Sequence, residues 1–264
     1  MNYERTFVNI ELRIMNFFVT LHLKPYETMR KRLITVIFLA LLSPLTMIAQ
    51  KVVPKAYYID KNGFQQETTS IDGENGEAPL SVEFRANPTD LGDYVPSFEW
   101  HFYKNETDGK QTELFVRYEE NTQYTFVDSG TFSIMLKVSF KSADGTVSRD
   151  SASVSVTIAE SKLIFPNAFS PNDDGVNDEY GAKEYRSIVS FRAIIFNRWG
   201  QKLYEWDDPA GSWNGKYNGK DVGDGVYFVL VKAKGADGTN YNIRKDVNLL
   251  RGNAGGSTET TGEK

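Results

Sequence analysis

The sequence predicts an all-β protein of two consecutive β-sandwich domains behind an N-terminal signal peptide. Three observations predict it. Apolar residues recur at every second position in short runs, the spacing of strands that bury one face. Turn-forming pairs built from Gly, Asp and Asn separate those runs. The apolar set is weighted towards strand-preferring aromatics, with 14 Tyr and 17 Phe. At 264 residues the chain also exceeds the usual size of one domain, which leaves room for two domains and a processed end.

At the N-terminus, Arg30, Lys31 and Arg32 precede the apolar run Leu33 to Leu42, interrupted only by Thr35 and followed by Ser43-Pro44 and the small residue Ala49. A basic cluster, an apolar stretch and a small residue at a cleavage point are the three parts of a secretory signal. A membrane span needs about 20 mainly apolar residues, and this run is too short. Residues 29–50 are therefore read as the signal peptide, with translation starting at Met29 and residues 1–28 lying upstream of the true start. Cleavage is expected to leave Gln50 or Lys51 as the first residue. Residues 51–264 hold 24 Lys and Arg against 32 Asp and Glu, so the processed chain is acidic.

Residues 51–160 form the first expected domain. Leu80, Val82, Phe84 and Ala86 alternate, as do Phe98, Trp100 and Phe102, and then Phe132, Ile134, Leu136, Val138 and Phe140. Turn signals stand between them at Asn87-Pro88, Asp108-Gly109, Asp128 to Gly130 and Asp144-Gly145, and Ala152 to Ile158 closes the set. Short strands at this spacing imply a sandwich. The segments Ala78 to Phe84, Phe98 to Trp100, and Tyr124 to Phe126 leading into Gly130 to Ile134 resemble a PKD-type domain over about 77–158. That resemblance implies an immunoglobulin-like fold. The chain departs from the family after the tryptophan strand, where His101 to Asn105 replaces the usual Gly-Asp-Gly turn. Trp100 is expected in the core, and His101 on the opposite, solvent face with Glu99 and Tyr103.

The second domain, residues 161–252, follows the polar joint Ala159 to Lys162. In Gly225 to Ala233 both faces are largely apolar, as expected of a central strand covered on each side. Asn218-Gly219 and Asp224-Gly225 are turn signals, and Asn197 to Gly200 places a glycine where a tight hairpin needs positive φ. Trp199 and Gly200 are both expected to hold that hairpin. Residues 253–264 carry one apolar side chain, Ala254, and are expected to be a disordered tail.

Four blocks follow one another in this domain: Phe165 to Asp178, with Asn167, Ser170, Pro171, Asn172, Asp174, Gly175, Asn177 and Asp178; Ile195 to Tyr204, with Asn197, Arg198, Trp199 and Gly200; Trp213 to Lys216, with Gly215; and Asp224 to Phe228, with Gly225 and Tyr227. In this order they closely resemble the gliding-motility-associated C-terminal domain, the type B sorting domain of the type IX secretion system, over about 163–252. Asn214 stands where that family commonly has Asp. The resemblance implies signal-dependent export, recognition of the folded domain by the type IX machinery, and delivery to the cell surface or medium of a Gram-negative cell. It also implies a PorP/SprF-type outer-membrane partner that can retain the cargo.

The first block has a chemical reading of its own. Ser170, Asn172 and Asp174 occupy positions one, three and five of a calcium loop, Gly175 its turn and Asp178 its ninth position. Position twelve falls on Gly181, so a complete site would need oxygens from elsewhere. The preferred alternative is a metal-free loop in which Asn172, Asp173, Asn177 and Asp178 form Asx turns. No other cofactor is expected.

Composition removes several classes. The net charge of −5, with no basic run beyond Arg30 to Arg32, excludes a nucleic-acid partner. With no cysteine there is no disulfide, thiolate zinc site, cysteine nucleophile or lipidated cysteine. Beyond the signal, His101 is the sole histidine, and neither a Gly-x-Ser-x-Gly elbow nor a Gly-rich phosphate loop occurs. The expectation is a secreted, non-enzymatic protein. The alternative is a surface adhesin or glycan-binding protein acting through residues 52–158, with Tyr57, Tyr58, Tyr103 and Tyr118 as exposed contacts for a glycan or protein ligand.

Overall fold

The computed structural model describes residues 50–252. The expected upstream segment, the signal peptide up to residue 49 and the tail at 253–264 lie outside the described residues. Among the described residues there is no helix.

The first sandwich contains β1 (Lys51–Val52), β2 (Lys55–Ile59), β3 (Gln65–Thr68), β4 (Ser70–Ile71), β5 (Leu80–Arg85), β6 (Pro88–Thr89), β7 (Val95–Asn105), β8 (Gln111–Arg117), β9 (Asn121–Phe126), β10 (Gly130–Lys141) and β11 (Val147–Ile158). A four-stranded sheet in the order β3-β2-β5-β9 and a five-stranded sheet in the order β4-β11-β10-β7-β8 share one core. The two-residue period explains the division of each strand. Leu80, Val82 and Phe84 point inward from β5, and Phe98, Trp100 and Phe102 from β7, while their neighbours face outward. Phe84 packs edge-on against Phe102 at 5.6 Å and against Phe126 at 6.4 Å. The Trp100 indole is fully buried and donates to the Glu119 carbonyl at 3.0 Å, so its one polar atom is satisfied.

The second sandwich contains β12 (Lys162–Ile164), β13 (Ala168–Phe169), β14 (Tyr180–Gly181), β15 (Glu184–Arg186), β16 (Ile188–Phe196), β17 (Lys202–Trp206), β18 (Ser212–Trp213), β19 (Lys216–Tyr217), β20 (Lys220–Asp221), β21 (Gly225–Gly235) and β22 (Asn240–Leu249). One sheet dominates, in the order β13-β22-β21-β16-β17. Its other layer is built from the short pairs β12–β15, β14–β18 and β19–β20. Between them lies a separate core around Tyr180, Ala193, Ile195, Trp213, Val231 and Val247.

The expectation that β21 is covered on each side needs correction. It is central in its sheet, but only Tyr227, Val229, Val231, Ala233 and Gly235 are buried; Val226 and Phe228 are exposed. A central strand has neighbours on both edges, and this does not supply a layer on both faces. The short pairs form a single layer, so the outer face of the sheet keeps its apolar side chains in solvent.

The polar joint is also more than a connection. Ala236, in the β21–β22 turn, is buried with the core of the first sandwich; its N–H donates to the Ser187 carbonyl at 2.9 Å and its carbonyl accepts from Ser129 N at 3.0 Å. The Ser187 hydroxyl accepts from Ala78 N at 3.3 Å. Ser161 donates its backbone N–H and its hydroxyl to the Asp237 carboxylate, at 3.1 and 2.8 Å. The two sandwiches are thus joined through a turn of the second as well as through the chain.

Candidate functional site

Three of the four sequence blocks converge on one end of the second sandwich. Phe169, Trp213 and Tyr227, one from each, form an aromatic column with ring centroids 5.4 and 5.3 Å apart, and Tyr180 adds a contact to Phe169 at 5.7 Å. The polar atoms of the column are tied to the backbone. Trp213 Nε1 donates to the Lys216 carbonyl at 2.8 Å, and the Tyr227 hydroxyl to the Gly223 carbonyl at 2.6 Å. Gly215, at φ +74°, lies beneath Pro171: a Cβ there would meet Pro171 Cγ at 3.0 Å and Arg251 Nη2 at 3.1 Å. The residue type follows from the close approach as well as from the left-handed backbone.

Above the column, residues 167–178 fold around the Asp178 carboxylate. It accepts backbone N–H groups from Asn172 at 2.9 Å, Asp173 at 2.8 Å and Gly175 at 2.7 Å. Asn172 Oδ1 accepts from Asp174 N at 3.2 Å, Asp174 Oδ1 accepts from Val176 N at 2.8 Å, and Ser170 N donates to the Asn177 carbonyl at 2.7 Å. Asp173, Gly175 and Asn177 all have positive φ, which Asp, Gly and Asn tolerate best. Partial desolvation pushes the Asp178 carboxyl up, but the N–H donors of Gly175, Asn172 and Asp173 outweigh it and hold the group below the usual carboxylate range.

This geometry bears on calcium. The side-chain oxygens of Asn172, Asp174 and Asp178 accept hydrogen bonds within the loop, so its shape is held by the Asx turns without a cation. Among the described residues no group of three or more His, Asp or Glu is placed to hold a metal. Titration of the full chain with millimolar calcium in a calorimeter is expected to release no binding heat. Heat that disappears in Asp174→Ala would restore the calcium-loop reading.

The remaining block forms the β16–β17 hairpin tip. Asn197 Oδ1 accepts from Trp199 N and Gln201 N, each at 3.0 Å, and Gly200, at φ +79°, donates its N–H to the Asn197 carbonyl at 3.0 Å. Gly200 holds the hairpin as expected; Trp199 does not. Its ring is 75% exposed, with the Arg198 guanidinium 4.3 Å over it. The turn is closed by Asn197 and Gly200, which leaves the indole free to project.

In the first sandwich, Tyr58 is buried, against the expectation of an exposed contact, because it sits on the inward side of β2. Tyr57 lies under the Arg85 guanidinium at 4.3 Å, Tyr103 stacks on His101 at 6.0 Å, and Tyr118 alone of the four is fully open, at 71% exposure. His101 is only partly solvent-side, held between Glu113 at 3.4 Å and Glu99 at 3.5 Å.

Arg251 went unnoticed in the sequence. Its guanidinium donates to the Gly215 carbonyl at 3.0 Å and to the Val222 carbonyl, while its backbone N–H reaches Asp224 at 3.2 Å. It therefore ties the last strand to the third and fourth blocks. A basic residue after a strand is too common to mark it from sequence.

Residues 163–245 match the CHU_C type IX secretion signal domain. The matched stretch of this signal domain holds all four blocks, the aromatic column and the hairpin tip. Nothing matches among the curated proteins. Solved structures that resemble the chain include the tetra-tandem repeat in the extending region of a large adhesion protein, at 13% identity, TM-score 0.25, covering 77% of this chain and 67% of that one. SGBP-B of the Bacteroides ovatus mixed-linkage glucan utilization locus, in complex with a mixed-linkage heptasaccharide, is 14% identical, TM-score 0.23, with coverage of 74% and 47%. Dimeric latent PorU from Porphyromonas gingivalis is 11% identical, TM-score 0.24, with coverage of 79% and 21%. The chain spans about half of the second and a fifth of the third. TM-scores this low carry no functional argument.

Proposed function

We propose that this chain is a non-enzymatic cargo of type IX secretion, carried across the outer membrane by residues 161–252 and displayed at the cell surface or released. The observation that carries this reading is the family match at 163–245, with all four blocks inside it. The first sandwich, on its PKD-like sequence, serves as a structural or binding module. Export begins with the signal at 29–50, and a PorP/SprF-type outer-membrane protein retains the delivered chain.

The test uses a host with the type IX machinery. The full chain should be found at the surface, whereas truncation after Ser161 should leave the first sandwich in the periplasm with its surface signal at the level of an unexported control. The first sandwich has a core of its own, so the truncated product is expected to fold. Normal surface delivery of the truncated chain would show that residues 161–252 are not the address.

A further inference from the structure

The outer face of the main sheet in the second sandwich has a pattern that neither packing nor solubility explains. The strand registers align Phe196, Phe228 and Asp246 in one row, and Ile194, Leu230 and Arg244 in the next, with Glu205 beside Ile194. Arg192 and Lys232 follow in the third row. Phe196, Phe228 and Leu230 line a shallow groove of about 330 Å³ with Arg244 and Asp246 on its wall. Phe228 is 41% and Val226 48% exposed, and the β16 strand that carries Phe196 runs straight into the tip that presents Trp199.

The charge of the domain that carries this stripe differs from that of the first sandwich. Residues 51–160 hold 10 Lys and Arg against 18 Asp and Glu, whereas residues 161–252 hold 13 against 12. On the outer face Arg192, Lys202, Lys232 and Arg244 surround the apolar rows, and Glu205 and Asp246 stand among them. An apolar centre with an exposed indole and a charged rim is the anatomy of a protein-binding surface, in which Trp and Arg are the usual anchors.

We infer that this face, from Trp199 along Phe196 and Phe228 to Leu230, docks a protein partner that presents an apolar patch rimmed mainly by carboxylates. The inference rests on the sorting reading and names the surface through which the folded domain is recognised. Its charge pattern favours a protein over an anionic membrane. Glu205 is already paired with Arg192 and, at 2.7 Å, with Lys202, which leaves Lys232, Arg244 and Asp246 to be matched from outside. A bilayer of uniform negative charge would meet Asp246 with like charge, while a protein can place a cation against it and carboxylates against the two bases. The groove likewise suits the side chain of a partner better than a flat lipid surface.

Two variants of the full chain test it in a type IX host: Trp199→Ala with Phe228→Ser, and Lys232→Glu with Arg244→Glu. Lys137→Glu with Lys141→Glu in the first sandwich is the control for net charge. Each outer-face pair should lower surface delivery about tenfold or more, the loss expected when central anchors are removed, while the control is delivered normally. Melting of the purified chains verifies folding, and if one pair fails to fold the other decides. Normal delivery of a folded outer-face variant overturns the inference; the sorting reading survives that result if truncation after Ser161 still strands the first sandwich. Sedimentation of the purified chain with phosphatidylglycerol vesicles, lost in Lys232→Glu with Arg244→Glu, would overturn the protein partner in favour of the membrane.

Discussion

Trp213→Ala is expected to destabilise the second sandwich by about 3–5 kcal/mol, the usual cost of truncating a buried tryptophan, and to melt it well before the first. The indole is fully buried between Phe169 and Tyr227, so its removal leaves a cavity in the middle of the aromatic column. The loss of Nε1 also leaves the Lys216 carbonyl without its donor, in a turn next to Gly215. The β14–β18 and β19–β20 pairs have two residues per strand, too few to hold a layer without that packing. Scanning calorimetry of the full chain should resolve a low-temperature transition that wild type lacks. Trp199→Ala supplies the comparison: the same substitution at a 75% exposed ring should change stability by no more than about 0.5 kcal/mol. Equal losses in the two variants would mean that the burial pattern misassigns what each tryptophan does.

These two tryptophans also mark what was legible in the sequence. Strand positions could be read because period two converts directly into inward and outward faces: Leu80, Phe84, Trp100, Ile134 and Val156 all stand in the core where the alternation placed them. The turns were legible for a related reason. Asn197, Gly200, Asn218 and Gly219 tolerate backbone conformations that other residues adopt at a cost, and the structure has positive φ at Gly200, Asn218 and Gly219. Periodicity says nothing of a side chain within a turn, so the exposure of Trp199 was hidden. It is also blind to whether a second layer covers an apolar face, which is why Val226 and Phe228 seemed core residues. Arg251 and Ala236 act through partners far along the chain, and no local pattern announces such contacts. The blocks of the candidate site were legible as a set, but their division into a buried column and a projecting tip came only from the fold.

The second large effect is expected at the junction of the sandwiches. Ala236→Asp should place a carboxylate where a methyl group is 6% exposed in the core of the first sandwich, and an unpaired buried charge costs roughly 3–5 kcal/mol. The turn has an escape that a true core position lacks: it can withdraw from the first sandwich. Withdrawal breaks the Ser129 N–H contact to the Ala236 carbonyl and the Ala78 N–H contact to the Ser187 hydroxyl, and leaves each sandwich on its own core. The expected outcome is therefore uncoupling rather than unfolding. Wild type should unfold in one transition and Ala236→Asp in two, with a larger radius of gyration by small-angle scattering. Acid should act at the same place. Desolvation pushes the Asp237 carboxyl up, but the Thr239 N–H and the Ser161 hydroxyl and N–H outweigh it and hold the group at about 2, below its ordinary value of 3.8. A depressed carboxylate contributes stability above its unfolded pKa and loses it as pH falls through the folded one, so the joint should weaken between about pH 4 and pH 2. Asp237→Asn should remove that dependence. A single transition in Ala236→Asp, with unchanged scattering, would mean that the chain connection at residues 159–162 alone sets how the sandwiches are held.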